Sequence, residues 1–324
     1  MMIRLSLLCV LWAGPAFSAE PVVLKLGSLA PRESPWGGVL RVWQKAVKDK
    51  TKGEVTLEIF WNATQGDEAA QMSKVKTGQL DGAIVSAVGL SVIDPNVNVL
   101  QVPGLFPDWP TLDRARDALK PRFEKTFREA GMELIGWGDI GLDRFISMGF
   151  GVKKPEDLKG KRGWVWREDP LLPPVYQATG AVMVPTGLPE VLPELSTGNV
   201  NVLIVSALAA EQLQWASRLD HISRAVVAPN IGGIVISKAG LDKVSPAARE
   251  VVLETGRLAG KALTERIRGE DARAFERLEK RMTVVEPGPE DLVAWKKLYA
   301  TVRVQLGKGT FTPKLLEEVE QLAK

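Results

Sequence analysis

Two kinds of apolar spacing alternate along the chain. "VVLKLGSL" (22–29) is an apolar run of strand length. In "WGGVLRVWQKAVKDKTKG", Trp36, Leu40, Trp43 and Val47 fall on one helical face, and Gly53 supplies a stop. "EVTLEIFW" predicts the next strand. "GDEAAQMSKVKTG" predicts a short helix, with Asp67 and Glu68 at its positive end and Gly78 beyond its last turn. "LDGAIVSAVG" reads as a buried strand, and "VNVLQVPGLF" leads into a helix from Pro110 to about Ala130. "MELIGWGDI" is again a strand.

The second half repeats this logic. "DRFISMGFGV" and "KRGWVWR" predict strands, "DPLLPPVYQATG" a proline-broken helix, and "AVMVPTG" a strand. "LPEVLPELSTG" and "ALAAEQLQWASR" predict helices on either side of the strand "NVNVLIVS". "AVVAPNIGGIVIS" returns as a strand. A long helix runs from Ser245 to about Arg281, with Ser245 and Pro246 as cap and first-turn proline. Two more helices follow Pro289 and Pro313. Strand–helix alternation of this kind predicts an α/β protein with parallel strands, and a chain of 324 residues suits two lobes with a cleft between them. The segment "RIRGEDARAFERLEKR" reads as the solvated face of the long helix.

Composition narrows the function classes. Charged residues make up 25% of the chain and the net charge is +3, too small a bias to argue for nucleic acid. "MMIRLSLLCVLWAGPAFSAE" reads as a secretory leader, residues 1–18, with Ala16-Phe17-Ser18 as the cleavage site. No later stretch is long and apolar enough for a spanning helix, so direct membrane insertion is not expected. Cys9 is the only cysteine and would leave with the leader. His221 is the only histidine, and it reads as a partly buried or surface residue. Thiolate chemistry and cysteine metal sites are therefore excluded, and a zinc site would lack its second histidine. No dinucleotide or phosphate-loop motif is present, and no metal, cofactor or catalytic set is assigned. The balance leans toward binding rather than catalysis.

"GKRGWVWRED" carries the candidate chemistry. In a strand Trp164 and Trp166 point the same way. Paired aromatics on a strand are core residues more often than ligand walls. Trp43 and Trp215 lie at helical spacing and read as core, whereas Trp61, Trp109 and Trp137 lie near strand ends or loops and stay unassigned. Arg144 reads as a surface residue or as a partner of Asp143 or Asp139. Asp67 and Glu68 either face a cleft or serve only the start of their helix.

From about Leu24 onward the ordered motifs resemble the solute-binding proteins of tripartite ATP-independent periplasmic (TRAP) transporters. "LKLGSLAPRESPWG" resembles the family's first strand and loop. "KTKGEVTLEIFWNATQGDEAAQMSKVKTGQLDGAIVS", "VPGLFPDWPTLDRARD", "KKPEDLKGKR" and "TGAVMVPTGLPEVLPELSTGNVN" follow in the family's order. The resemblance implies a two-lobed periplasmic fold, with lobe 1 at 19–141 plus about 229–260 and lobe 2 at 142–228 plus about 270–288. A long helix at 245–281 crosses both lobes, and C-terminal helices occupy 289–324. It implies a small-molecule ligand handed to a small and a large membrane subunit, with uptake driven by an ion gradient.

Typical members clamp an organic acid with an arginine just after the "DLKG" turn, because a guanidinium fork gives a carboxylate two parallel bonds. Aligning Asp157 to Gly160 on that turn puts Trp164 at the arginine's position. Val205 stands where the family often has an asparagine, and Arg144 matches a helper arginine. Trp36 in the "SPW" loop, Ser86, Trp166 and Arg167 complete the expected ligand contacts. An indole in place of the guanidinium predicts a largely apolar or aromatic, lipid-like ligand. A one-residue slip would instead make Arg162 or Arg167 the anchor and restore an organic acid. An enzyme on this scaffold, or a stand-alone lipid carrier, is the more remote expectation.

Overall fold

The computed structural model describes residues 20–324; the expected leader and its cleavage site lie outside the described residues. The first lobe begins with β1 (Val22–Ser28), α1 (Pro35–Lys50), β2 (Val55–Phe60), α2 (Glu68–Lys76), β3 (Gly82–Ser86) and the short α3 (Ala87–Ser91). Helix α4 (Trp109–Glu129) leads into β4 (Met132–Ser147), which runs from the first lobe into the second. The second lobe holds β5 (Arg162–Trp166), α5 (Leu172–Thr179), β6 (Val182–Thr186), α6 (Val191–Thr197), β7 (Val202–Ser206) and α7 (Ala207–Gln212). Strand β8 (His221–Ser237) returns, and α8 (Lys238–Leu241), α9 (Pro246–Glu279), β9 (Thr283–Val285), α10 (Pro289–Leu306) and α11 (Leu315–Leu322) finish the chain.

All nine strands join one sheet in the order β2-β1-β3-β8-β4-β7-β5-β6, with β9 parallel to β8. Strands β1, β2 and β3 are parallel to each other, as are β5, β6 and β7. The antiparallel pair β4 and β8 joins the two sets. Helix α9, 34 residues and roughly 50 Å long, lies along β4 across both lobes. Gly260 permits this close approach, since a Cβ there would stand 2.7 Å from the Trp137 carbonyl oxygen.

The local signals explain most boundaries. Ser34, Asp67 and Ser245 each cap a helix through a backbone N–H, and Pro35 and Pro246 occupy first turns. The differences from the sequence reading are also physical. "MELIGWGDI" and "DRFIS" form one 16-residue strand, because four register shifts break the period-two pattern without breaking the chain. The prolines of "LLPPVYQAT" sit in the first turn of α5 and start the helix rather than break it. "ALAAEQLQWASR" is not one helix: Gln214 takes φ +64° and separates α7 from a single 3-10 turn.

Candidate functional site

A cavity of about 170 Å³ lies between the lobes, against the crossing strands. Four indoles line it: Trp36 at the start of α1, Trp164 and Trp166 on β5, and Trp215 after α7. Trp164 is only 4% exposed, and its ring centroid lies 5.5 Å from that of Trp166 and 5.6 Å from that of Trp215. Contacts at these separations are favourable beyond the area they bury. Residue 163 must be small for this placement, since a Cβ on Gly163 would stand 2.4 Å from the Tyr176 ring. Tyr176 in turn donates its hydroxyl hydrogen to the Trp164 carbonyl oxygen at 3.1 Å. Leucine, isoleucine and valine side chains, Val205 among them, fill much of the remaining wall.

Polar groups enter this apolar setting at few points. Glu68 lines the cavity from α2 and is bound by three donors: the Ser86 hydroxyl at 2.6 Å, the Ser86 N–H at 2.7 Å and the Gly89 N–H at 2.8 Å. Burial pushes its carboxyl up to about 7 against the pull of those bonds. Asp169, after β5, accepts from the Leu171 N–H at 2.7 Å, and burial pushes it up to about 6. Asp143 on β4 accepts from the Asn230 amide at 3.1 Å; burial, and then the nearby Asp271 and Asp169, hold it well above the usual carboxylate range. Asp139 is fully buried and takes both Arg116 and Arg268 at 2.6 Å, and these arginines also share Asp113. Two buried atoms at the cavity have no hydrogen-bond partner: Nε1 of Trp164 and Oδ1 of Asn230. Among the described residues, no lysine, arginine or histidine lines the cavity.

One carboxylate bridges the lobes beside the cavity. Asp67 Oδ1 caps α2 through the Glu68 N–H at 2.9 Å. Its Oδ2 accepts from Trp166 Nε1 at 2.8 Å and from the Leu188 N–H at 3.2 Å, both in the opposite lobe. On the first lobe, Trp36 Nε1 points at the Asp139 carbonyl oxygen at 3.4 Å.

Of the residues singled out from sequence, Trp164, Trp166, Trp36, Val205 and Ser86 come together here. The Ser86 hydroxyl is already engaged, donating to Glu68 and accepting from the Val88 N–H. Arg144 and Arg167 do not line the cavity. On β4, Asp143 takes the cavity side, so Arg144 projects toward α9. Its guanidinium lies 4.3 Å from the Phe275 ring centroid and donates to the Arg224 carbonyl oxygen. Burial lowers its pKa, with Asp271 opposing. Arg144 therefore pairs with neither Asp143 nor Asp139. Arg167 projects outward to Glu190 at 2.5 Å, and Arg162 bonds the Gly198 carbonyl oxygen at 3.0 Å. Asp67 and Glu68 serve both uses foreseen for them: the first caps the helix and the second faces the cleft.

Sequence reasoning missed Asp143, Asp169 and Asn230, and took Trp215 for core alone. Trp215 is 3% exposed and is core and cavity wall together. No motif singles out Asp169, which follows the strand that carries Trp164, and Asn230 is brought to the cavity only by β8.

Among the described residues, no group of three potential metal ligands gathers, and no helix is long and apolar enough to cross a membrane. Residues 26–306 match the family described as bacterial extracellular solute-binding protein, family 7. The 2,3-diketo-L-gulonate-binding periplasmic protein of Escherichia coli is 27% identical over 226 residues, 66% of this chain and 65% of that protein. A TRAP periplasmic solute-binding protein from Ralstonia eutropha, solved with bound (S)-2-acetolactate, superposes with a TM-score of 0.86 at 22% identity. It covers 93% of this chain and 98% of its own. One from Roseobacter denitrificans, solved with β-D-glucuronate, gives 0.84 at 19% identity with the same coverage.

Proposed function

Because the chain belongs to the bacterial extracellular solute-binding proteins of family 7, we propose that it is the periplasmic receptor of a TRAP-type transporter whose ligand has a largely apolar or aromatic body. The receptor carries no chemistry of its own. A leader directs it across the inner membrane, and a small and a large membrane subunit take the ligand from it. Closure of the lobes about β4 and β8 traps the ligand, and binding shifts an existing open–closed equilibrium.

The lining of the cavity carries the ligand class. Four indoles and a majority of aliphatic side chains surround the space, and the position aligned with the family's arginine holds Trp164. A carboxylate buried there would face Glu68, Asp143 and Asp169 with no lining cation to neutralise it, which costs several kcal/mol for an unpaired ion.

A second reading is favoured by the relatives. The solved structures described above hold acetolactate and glucuronate, and the Escherichia coli relative is named for a sugar acid. An organic acid here would have to rely on neutral, protonated carboxyls and on donors such as the Trp164 Nε1–H. Purification from the native periplasm, solvent extraction and mass spectrometry separate the two readings. A stoichiometric apolar molecule that Trp164→Ala loses is the expected result. A small carboxylic acid retained by Trp164→Ala returns the protein to the acid-binding branch.

A further inference from the structure

We infer that the ligand carries a protonated amine or quaternary ammonium on its apolar body, received by Asp143 and Asp169 inside the ring of tryptophans. The inference rests on the apolar-body reading and sharpens it. The cavity combines indole faces with carboxyl groups and has no lining cation, which is the composition that recognises an ammonium: the rings offer negative faces and the carboxylates offer charge.

The positive charges nearby are already spent. Arg116 and Arg268 are committed to Asp139 and Asp113, and Arg144 projects toward Phe275. Asp143 has a single amide partner, Asn230. Asp169 accepts only backbone N–H groups. Asp271 on α9 adds a further like charge near Asp143. Burial raises both carboxyls toward their neutral forms, so a bound cation stabilises their ionisation, whereas an anion opposes it.

A second, independent observation points to a ligand. Nε1 of Trp164 is a buried donor with no partner on a side chain that is 4% exposed and lines the same space. An unmet donor of this kind is rare in a finished interior. Trp164 lines the same space, so a shift of its indole on binding would bring this donor against an acceptor oxygen of the ligand, such as an ether, carbonyl or hydroxyl. An apolar amine with one such oxygen answers the indole faces, the carboxyls and the orphaned donor together.

A matched probe set tests this by calorimetry on the ligand-stripped full-length mature protein: 4-methoxyphenethylamine, 4-methoxyphenylethanol and 4-methoxyphenylacetate. The amine should bind about tenfold or more tighter than the alcohol, and the acid weakest. Asp143→Asn should erase the preference for the amine while leaving alcohol binding in place. Should Asp143→Asn fail to fold, the wild-type ranking and Asp169→Asn decide. Equal binding of amine and alcohol, or tightest binding of the acid, overturns the ammonium inference alone, because all three probes share one aromatic body. No binding of any probe overturns both it and the apolar-body reading.

Discussion

The bond from Trp166 Nε1 to Asp67 crosses the cleft, and Trp166→Phe isolates it. The substitution deletes the N–H and keeps most of the aromatic surface. The donor and carboxylate are 2.8 Å apart, and the Leu188 N–H remains on the same oxygen at 3.2 Å. A hydrogen bond to a charged group contributes about 1.5–3 kcal/mol, and water competing for a half-buried carboxylate reduces this to about 1–2 kcal/mol. The bond exists only when the lobes are together, so its loss weakens the closed form by that amount. The closed-to-open ratio should fall about 5- to 30-fold. If opening limits release, the dissociation rate rises by the same factor. Stopped-flow release of the co-purified ligand, followed by intrinsic tryptophan fluorescence, reads the rate, and small-angle scattering reads the radius of gyration. Asp67→Asn is the companion variant, because asparagine still caps α2 and so spares the first lobe. The double variant should show a coupling of about 1 kcal/mol. A release rate within twofold of wild type, with unchanged scattering, would refute the claim that this bond holds the lobes closed.

The remaining expectations concern stability and pH. Glu68 has a carboxyl raised from an ordinary value near 4.5 to about 7, so the folded state binds more protons than the unfolded state between those values. Stability attributable to it is therefore full below about pH 4.5 and falls by about 3 kcal/mol as pH rises to about 7. Urea denaturation across that window should show a shallower decline in Glu68→Gln than in wild type, and parallel slopes would refute the assignment. Asp139→Ala leaves the nearly buried Arg116 and Arg268 to share Asp113 alone and should cost about 2–4 kcal/mol, read as a lower urea midpoint. Gly163→Ala drives a methyl into the Tyr176 ring and should cost about 1–3 kcal/mol, recovered in part by Tyr176→Leu; a neutral Gly163→Ala would mean the ring moves freely.

Much of the molecule was determined by local sequence. Helix starts at Ser34, Asp67 and Ser245 follow from side-chain oxygens that accept otherwise orphaned N–H groups. The alternation of strands and helices leads to an α/β fold because each amphipathic helix must cover an apolar strand. Trp164 and Val205 stood out as apolar residues at positions where a polar anchor was expected, and both lie on the cavity. These are readings of residue type and spacing within one element, which a linear pattern carries.

The electrostatics of the site were settled only by the tertiary structure. Asp143 and Arg144 are adjacent in sequence, yet successive strand residues point to opposite faces, so the acid enters the cavity and the guanidinium packs on Phe275. Asp139, Arg116, Asp113 and Arg268 form one network across separations of up to 155 residues, and Asp67 meets Trp166 across 99. Charge sign and spacing do not encode such meetings. They arise when β4 and β8 cross, α9 lies along them, and burial in the shared interior then fixes which carboxyl is paired with an arginine and which waits in the cavity.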